Sequence, residues 1–359
     1  MAKSYFVIHS VPNGIGDFWE RFYILYEVGQ SLGLTYLHTP FDQSNHLKGW
    51  DWAHFLGLDL GEERWDEVVD DQLPVIDISI QEIVREIFQG NSLNLVRKTS
   101  LCCQERPCIF RFAVNHYVSI REMKRAFGVL KPKLKFRERY WTRREAEPVL
   151  TAFQDPGKIK VAVHIRRGDR IHLKHWGRWY CVCGRLTERW AKPDRHGWKK
   201  IQDMRNGAKE YARFLEQLFR QTSPDRFEIR VYSDGYETAD LKRRLSMTPP
   251  EFQKIFGGLL EKKKNEFDCL RRFSNVTMRV GDSLDLTLEA FHAFATADIV
   301  LRGTGNFTNP PVFYNGRCLA FNIFDRHLWK KVPDLTELKP DQRCFTGVFE
   351  TDLTTSRVS

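Results

Sequence analysis

Two arginines follow directly on an apolar stretch in the middle of this chain, in Val163-His164-Ile165-Arg166-Arg167-Gly168-Asp169. A guanidinium is a planar fork of donors that matches phosphate oxygens two at a time and never loses its charge. Fixed positive charge at the end of a strand can receive the negative charge that builds on a diphosphate as it departs. Such charge stabilises a transition state more than a ground state. Taken alone, a paired arginine is more often a solvated face. Its place at a strand exit, with His164 before it and Gly168-Asp169 after it, argues for a ligand.

A second candidate lies near the start, at Asn13-Gly14-Ile15-Gly16-Asp17. Gly14 and Gly16 in a strand-to-helix turn let backbone amides approach a phosphate at a helix N-terminus. A full G-x-G-x-x-G is absent, so the same residues also read as a plain tight turn. A third lies late in the chain, LTLEAFHAFATADIVLRGTGNFTNP over residues 286–310. There a helix and a short strand lead into a Gly/Thr/Asn turn, with Thr304, Asn306 and Thr308 offering polar groups. Glu289 and His292 lie three apart on one helical face.

Metal chemistry has little support in the sequence. Cys181-Val182-Cys183 lies near His172, His175 and His196, but C-x-C is not the paired C-x-x-C of zinc sites. No Asp-x-Asp is present to hold a hard cation beside a diphosphate, and arginines can neutralise that charge instead. The chemistry read from the sequence therefore uses neither metal nor cofactor.

The elements that would position these residues alternate strand and helix, an α/β pattern that predicts parallel sheets with crossover helices. Tyr5–Ser10 reads as a strand, the helix after the glycine turn runs from Phe18 to Leu32, and Leu34–Thr39 and Leu73–Ile80 are further strands. Tyr117–Phe127 reads as helical. The basic run Lys131–Arg144 reads as a connector or an exposed helix. A second series starts with the strand Ile159–Ile165. It continues through a helix Ala208–Phe219, a strand Phe227–Tyr232, a helix from Asp240 to Leu245, and a strand Val276–Val280. A helix Leu286–Thr296 and strands Ile299–Leu301 and Cys318–Ile323 complete it. Residues 170–200, rich in Arg, His, Trp and Cys, read as a loop insertion. With 359 residues the chain predicts two α/β domains, over 1–150 and 151–335, and a polar tail over 336–359.

Composition narrows the partner classes. Lys and Arg number 56 against 46 acidic residues, a net +10 that suits an anionic partner: a phosphorylated small molecule, a nucleic acid or a membrane surface. No named nucleic-acid motif occurs, and the basic residues form no single stripe, so no nucleic acid is expected. Peripheral contact with a membrane through basic patches stays open, while no run is apolar enough to span one. The first strand follows Met1 too closely for a secretory core, which predicts a cytoplasmic protein. The 8 cysteines are then reduced thiols. The sequons at Asn275 and Asn306 and the tripeptide Arg167-Gly168-Asp169 are chance matches.

Taken in order, Gly14-Ile15-Gly16-Asp17, His164-Ile165-Arg166-Arg167-Gly168-Asp169 and Glu289-Ala290-Phe291-His292…Gly303-Thr304-Gly305-Asn306-Phe307-Thr308 resemble the fucosyltransferase superfamily, over roughly residues 5–325. The resemblance is most specific at mid-chain. It implies two facing Rossmann-like domains of the GT-B kind. It also implies an inverting, metal-independent transfer of L-fucose from GDP-fucose to a glycan hydroxyl.

By that resemblance His164 and Arg166 contact the nucleotide, Arg166 at the diphosphate, and Arg167 holds the site together. Glu289 falls at or within one residue of the acidic guanine contact. Asn306, Phe307 and Thr308 form the phosphate and base loop, and Gly14 and Gly16 the early glycine turn.

The chain departs from the family in two places. A Ser-Ser-Phe-Ser-like loop has become Gly305-Asn306-Phe307-Thr308. The carboxylate base that the α1,6 enzymes carry after their arginines is missing from residues 170–175, which leaves Asp169, His172 and His175 as candidate bases. Trp176, Trp179 and Trp190 could stack on an acceptor sugar or pack in a core. UDP-rhamnose or GDP-mannose as donor, a basic nucleic-acid-binding protein and a non-catalytic lectin-like relative are the alternatives.

Overall fold

The computed structural model describes residues 3–10, 14–41, 50–68, 73–90, 107–114, 118–129, 131–149, 152–166, 172–175, 178–181, 195–234, 267–281, 283–303 and 305–323. Of Ser10 and of residues 172–175, 178–181 and 195–207 it describes the backbone alone. The chain forms two compact units, Met1–Pro148 and Val149–Ser359.

The first unit holds a five-stranded sheet in the order β3-β2-β1-β5-β4. Its strands are β1 (Tyr5–Ser10), β2 (Thr35–His38), β3 (Glu63–Arg64), β4 (Val75–Ser79) and β5 (Ile109–Val114), all paired in parallel. The helices are α1 (Ile15–Ser31), α2 (Trp52–Phe55), α3 (Trp65–Val68), α4 (Ile80–Phe88), α5 (Ile120–Phe127) and α6 (Lys135–Ala146). α1 carries Phe18, Phe22 and Tyr26 along one side. Phe22 and Tyr26 interlock with Phe6, Tyr36 and Phe136 at centroid distances of 5.2–6.1 Å, and Phe18 stacks on Phe41. Such contacts explain why so aromatic a helix folds against this sheet.

The first unit corrects two expectations. β5 was not read from the sequence, yet it lies between β1 and β4. Its Arg111 breaks the apolar pattern and pairs in register with Asp77 of β4, donating Nε to Oδ1 at 2.5 Å and Nη2 to Oδ2 at 2.8 Å. The basic run at 131–144 is no plain exposed helix: α6 buries Phe136, Tyr140 and Arg144. Its cations meet carboxylates, Lys133 with Glu27, Arg139 with Glu62 at 2.6 Å and Arg143 with Asp59 at 2.8 Å.

The second unit holds a five-stranded parallel sheet in the order β10-β9-β6-β11-β12. These strands are β6 (Ile159–His164), β9 (Phe227–Ser233), β10 (Val276–Val280), β11 (Ile299–Arg302) and β12 (Leu319–Asn322). Its helices are α7 (Arg195–Gln221), α8 (Asp268–Arg271), α9 (Leu284–Thr296) and α10 (Asn309–Asn315). Successive residues alternate between the two faces. Val161, Val163, Ile229, Val231, Ile299 and Leu301 pack with Tyr211, Phe214 and Leu218 of α7. Ala162, Tyr232, Val300 and Ala320 pack with Ala290, Phe294 and Val312 of α9 and α10. Each aliphatic side chain so buried is worth about 1.5–3 kcal/mol of transfer free energy.

Residues 170–200 are more than a loop. β7 (His172–His175) and β8 (Arg178–Cys181) pair antiparallel and are joined by two residues, and α7 starts at Arg195, ahead of the helix read from Ala208. The helix expected over 240–245 and the tail over 336–359 lie outside the described residues. Among the described residues no helix is long and apolar enough to cross a membrane.

Candidate functional site at the carboxyl edge of the second sheet

In the second unit the chain leaves β6 in one direction and β11 in the other, since β9 and β10 lie on one side of β6 and β11 and β12 on the other. Open α/β sheets form a crevice at such a switch point, outside the carboxyl ends of the strands. β6 delivers His164 and Arg166 to this place, and β11 delivers Arg302 and, beyond it, residues 305–308.

Register sets what faces the crevice. His164 is paired with Tyr232, and Tyr232 with Arg279, so these share one face of the sheet. Val163 pairs with Leu301, which continues the row to Arg302, and Arg302 pairs with Asn322. The last rung of this sheet is therefore polar across its width, on the face covered by α9 and α10. The rung before it, on the opposite face, is apolar, with Val163, Val231 and Leu301.

His164 is buried, its ring 5.4 Å from that of Phe307 and 5.9 Å from that of Phe294. Ile165 continues the strand, donating its amide to the Tyr232 carbonyl at 2.9 Å. Arg166, half-buried, reaches the turn after β11. Its guanidinium lies over Gly305, where a Cβ would fall 2.8 Å from Nη1. Arg302 donates Nη1 to Asn309 Oδ1 at 3.3 Å, which ties the end of β11 to the start of α10.

Glu289 is engaged by protein groups. Tyr232 donates its hydroxyl to Oε1 at 3.0 Å, and Arg279 donates Nε to Oε1 at 3.0 Å and Nη2 to Oε2. Burial, together with the negative charge of Glu289, pushes the Tyr232 phenol far above its ordinary range, so it stays a donor. The hydrogen bond from Arg279 to Glu289 raises the arginine further.

Acidic groups anchor the opposite end of the sheet. The Glu228 carboxylate, near the start of β9, accepts from the amides of Gln154 and Asp155 at 3.0–3.1 Å. Asp298, just before β11, accepts from the amide of Lys160 at 2.8 Å. Glu228 also accepts from Arg230 Nη2 at 2.6 Å, so each edge holds one guanidinium–carboxylate pair, Arg230 with Glu228 at the amino edge and Arg279 with Glu289 at the carboxyl edge. Arg166 and Arg302 add two more guanidinium groups at the carboxyl edge.

The structure brings His164, Arg166, Asn306, Phe307 and Thr308 to this one edge, with Glu289 on α9 beside it. Thr308 is 1% exposed and its Oγ1 has no hydrogen-bond partner among the described residues. Phe307 packs edge-on against Phe291 and Phe294 at 6.2 Å. His292 is buried within α9. Gly14 and Gly16 belong to the first unit, where Gly14 caps α1 and Gly16 is buried in its first turn. Arg167 and Asp169 lie outside the described residues, and His172 starts β7 with its side chain outside them.

Sequence reasoning missed Arg302, Arg279 and Tyr232. The signal was present: each lies at or next to the last residue of its strand, where a polar side chain in an otherwise apolar run marks a sheet edge. Among the described residues no cluster of three or more His, Cys, Asp or Glu is placed to hold a metal ion.

No protein-family model matches the chain, and no curated protein matches it by sequence. Solved structures similar to it include the fucosyltransferase NodZ from Bradyrhizobium, with 15% identity, 89% of this chain and 96% of that one covered, and a TM-score of 0.40. POFUT1 in complex with GDP is 12% identical over 88% of this chain and 97% of that one, with a TM-score of 0.43. FUT1 of Arabidopsis thaliana in complex with GDP is 11% identical over 89% and 71%, with a TM-score of 0.35. At these values the likeness is one of outline, and any chemistry has to stand on the residues themselves.

Proposed function

We propose that this chain is an inverting, metal-independent glycosyltransferase that moves L-fucose from GDP-fucose to a glycan hydroxyl. The observation that carries the reading is the meeting of two guanidinium groups, Arg166 and Arg302, at the switch point of the second sheet beside the turn that holds Gly305. GDP-fucose as donor rests on the motif resemblance of residues 164–169 and 289–308.

The acceptor oxygen attacks the anomeric carbon on the face opposite the diphosphate, forming the new glycosidic bond. The anomeric carbon–oxygen bond to the diphosphate breaks, and its electron pair leaves on the nucleotide. Arg166 receives that charge, with the 305–308 turn beside it, and guanidinium groups do the neutralising that a divalent ion does in other sites. The acceptor proton passes to a protein base, with Asp169 and His172 as the proposed candidates. Tyr232 and Arg279 hold Glu289 in a fixed orientation on the base side of the site.

Nucleic-acid binding through the 131–144 run is disfavoured, because Lys133, Arg139 and Arg143 in it already meet Glu27, Glu62 and Asp59. Thermal-shift screening with GDP, UDP and dTDP tests the donor. GDP should raise the melting temperature most. Stabilisation by UDP alone would move the donor to a UDP-sugar, and stabilisation by none would remove the nucleotide reading.

A further inference from the structure

We infer that Gly305 is a positioning residue: it is the seat on which the Arg166 guanidinium is held for the leaving diphosphate. The inference rests on reading this edge as a diphosphate site, and adds to it a residue with no side chain of its own.

Two independent features of the position call for glycine. The first is backbone conformation. Gly305 has φ +106°, which residues with a Cβ rarely adopt, so the turn after β11 takes this path only with glycine here. The second is space. A Cβ would lie 2.8 Å from Arg166 Nη1, 3.6 Å from its Cδ and 3.8 Å from its Cζ. All three nearest atoms belong to one arginine, so this seat is shaped to a single side chain. Gly305 itself is exposed, and no demand of core packing explains the missing side chain.

The consequence is pre-organisation. Arg166 has a long flexible stem that would otherwise sample many rotamers, and ordering it costs entropy when a ligand arrives. A flat backbone surface beneath the guanidinium removes part of that cost beforehand, and charge fixed in advance is what stabilises a developing anion. The nearest atom to an added methyl is the far end of Arg166. A methyl at 305 therefore moves the guanidinium first, away from the place where the diphosphate would sit.

The experiment is a double-mutant cycle with a ligand-independent readout. In wild-type protein the Arg166 Nε–H cross-peak is identified by its loss in Arg166→Ala. Gly305→Ala should shift or broaden that peak, and an unmoved peak overturns the seating. GDP affinity is then measured in four proteins: wild type, Gly305→Ala, Arg166→Ala and the double variant. Gly305→Ala should weaken GDP by about tenfold when Arg166 is present and by less than about twofold when it is absent, the non-additivity expected of residues that act through one another. Equal losses in both backgrounds, or no loss in either, overturn the positioning role. Wild-type protein that binds none of GDP, UDP or dTDP sinks the diphosphate reading instead, and the cross-peak still decides whether Gly305 seats Arg166.

Discussion

The two sheets each have a glycine-containing turn at the carboxyl edge, and the turns differ in what they ask of glycine. Gly14 has φ −66° and ψ 154°, an extended conformation open to any residue. Its carbonyl accepts from the amides of Asp17 and Phe18 at 3.1 Å, and the chain passes straight into α1, where Ile15, Gly16 and Phe18 are buried. Gly305 has φ +106°, is exposed, and lies under a guanidinium. The first turn is explained by helix entry and packing, and the second by neither. Both units close cations on carboxylates, Lys124 on Glu20 at 2.7 Å and Arg139 on Glu62 at 2.6 Å in the first, Arg230 on Glu228 at 2.6 Å and Arg279 on Glu289 in the second. The second unit also sets Arg166 and Arg302 where a sheet of this order forms its crevice. A glycine in a turn does not report a ligand. Its φ, and the atoms its missing Cβ would meet, do.

The largest effect expected from this contrast is at Arg166. Arg166→Ala should lower transfer by about 10²–10³, or about 2–4 kcal/mol of transition-state stabilisation, with the melting temperature unchanged within a few degrees. Initial rates at limiting donor, read beside a thermal melt, measure both. Near-normal transfer would break the comparison at its root, because the second carboxyl edge would then be no more functional than the first.

Why the two edges were unequally legible in the sequence follows from what each residue advertises. Strands β1, β6 and β11 are largely apolar runs, and their periodicity shows without any partner. β9 and β5 each carry an arginine between apolar residues, and each arginine meets a carboxylate, Arg230 that of Glu228 in its own strand and Arg111 that of Asp77 on the neighbouring one. α6 hides because it reads as a string of cations, while its acids lie on α1 and on the segment after α2, in Glu27, Asp59 and Glu62. At the site, His164 and Arg166 stand out by type and position. Arg302 does not, since its meaning depends on β11 lying beside β6. The role of Gly305 depends on a φ angle and on a contact with a residue 139 positions earlier, and a pattern of residue types carries neither.

A smaller effect, on stability alone, sharpens the assignment of the first edge as structural. Asp51 caps α2, accepting from the amides of Phe41, Ala53 and His54 at 2.9–3.2 Å, and lies 3.9 Å from His38 at the end of β2. Burial alone would raise its carboxyl, but the nearby His38 imidazole and the amides of Phe41 and His54 outweigh it, and the net shift is downward. A carboxylate with a depressed folded value stabilises the protein above its unfolded value near ~3.9, and that contribution is lost as pH falls through the lower folded value. Asp51→Ala should therefore cost about 1–2 kcal/mol in urea melts at neutral pH, with the gap to wild type closing in strong acid. GDP affinity should be unaffected. A loss of affinity without a loss of stability would place a ligand at the first edge.

The smallest effect expected is at Gly14, and it bears most directly on the contrast between the turns. No side chain caps α1 at this position. Serine in place of Gly14 finds an allowed backbone and supplies an N-cap hydroxyl, a change of only a few tenths of a kcal/mol relative to glycine. Gly14→Ser should leave GDP affinity within about twofold of wild type while Gly305→Ala, also a glycine replaced by a small residue, weakens it by about tenfold. If Gly14→Ser instead lowers affinity as much as Gly305→Ala does, backbone amides at the start of α1 take part in holding the phosphates. The extended φ of Gly14 would then be the geometry that exposes those amides, and its turn would be more than a helix entry.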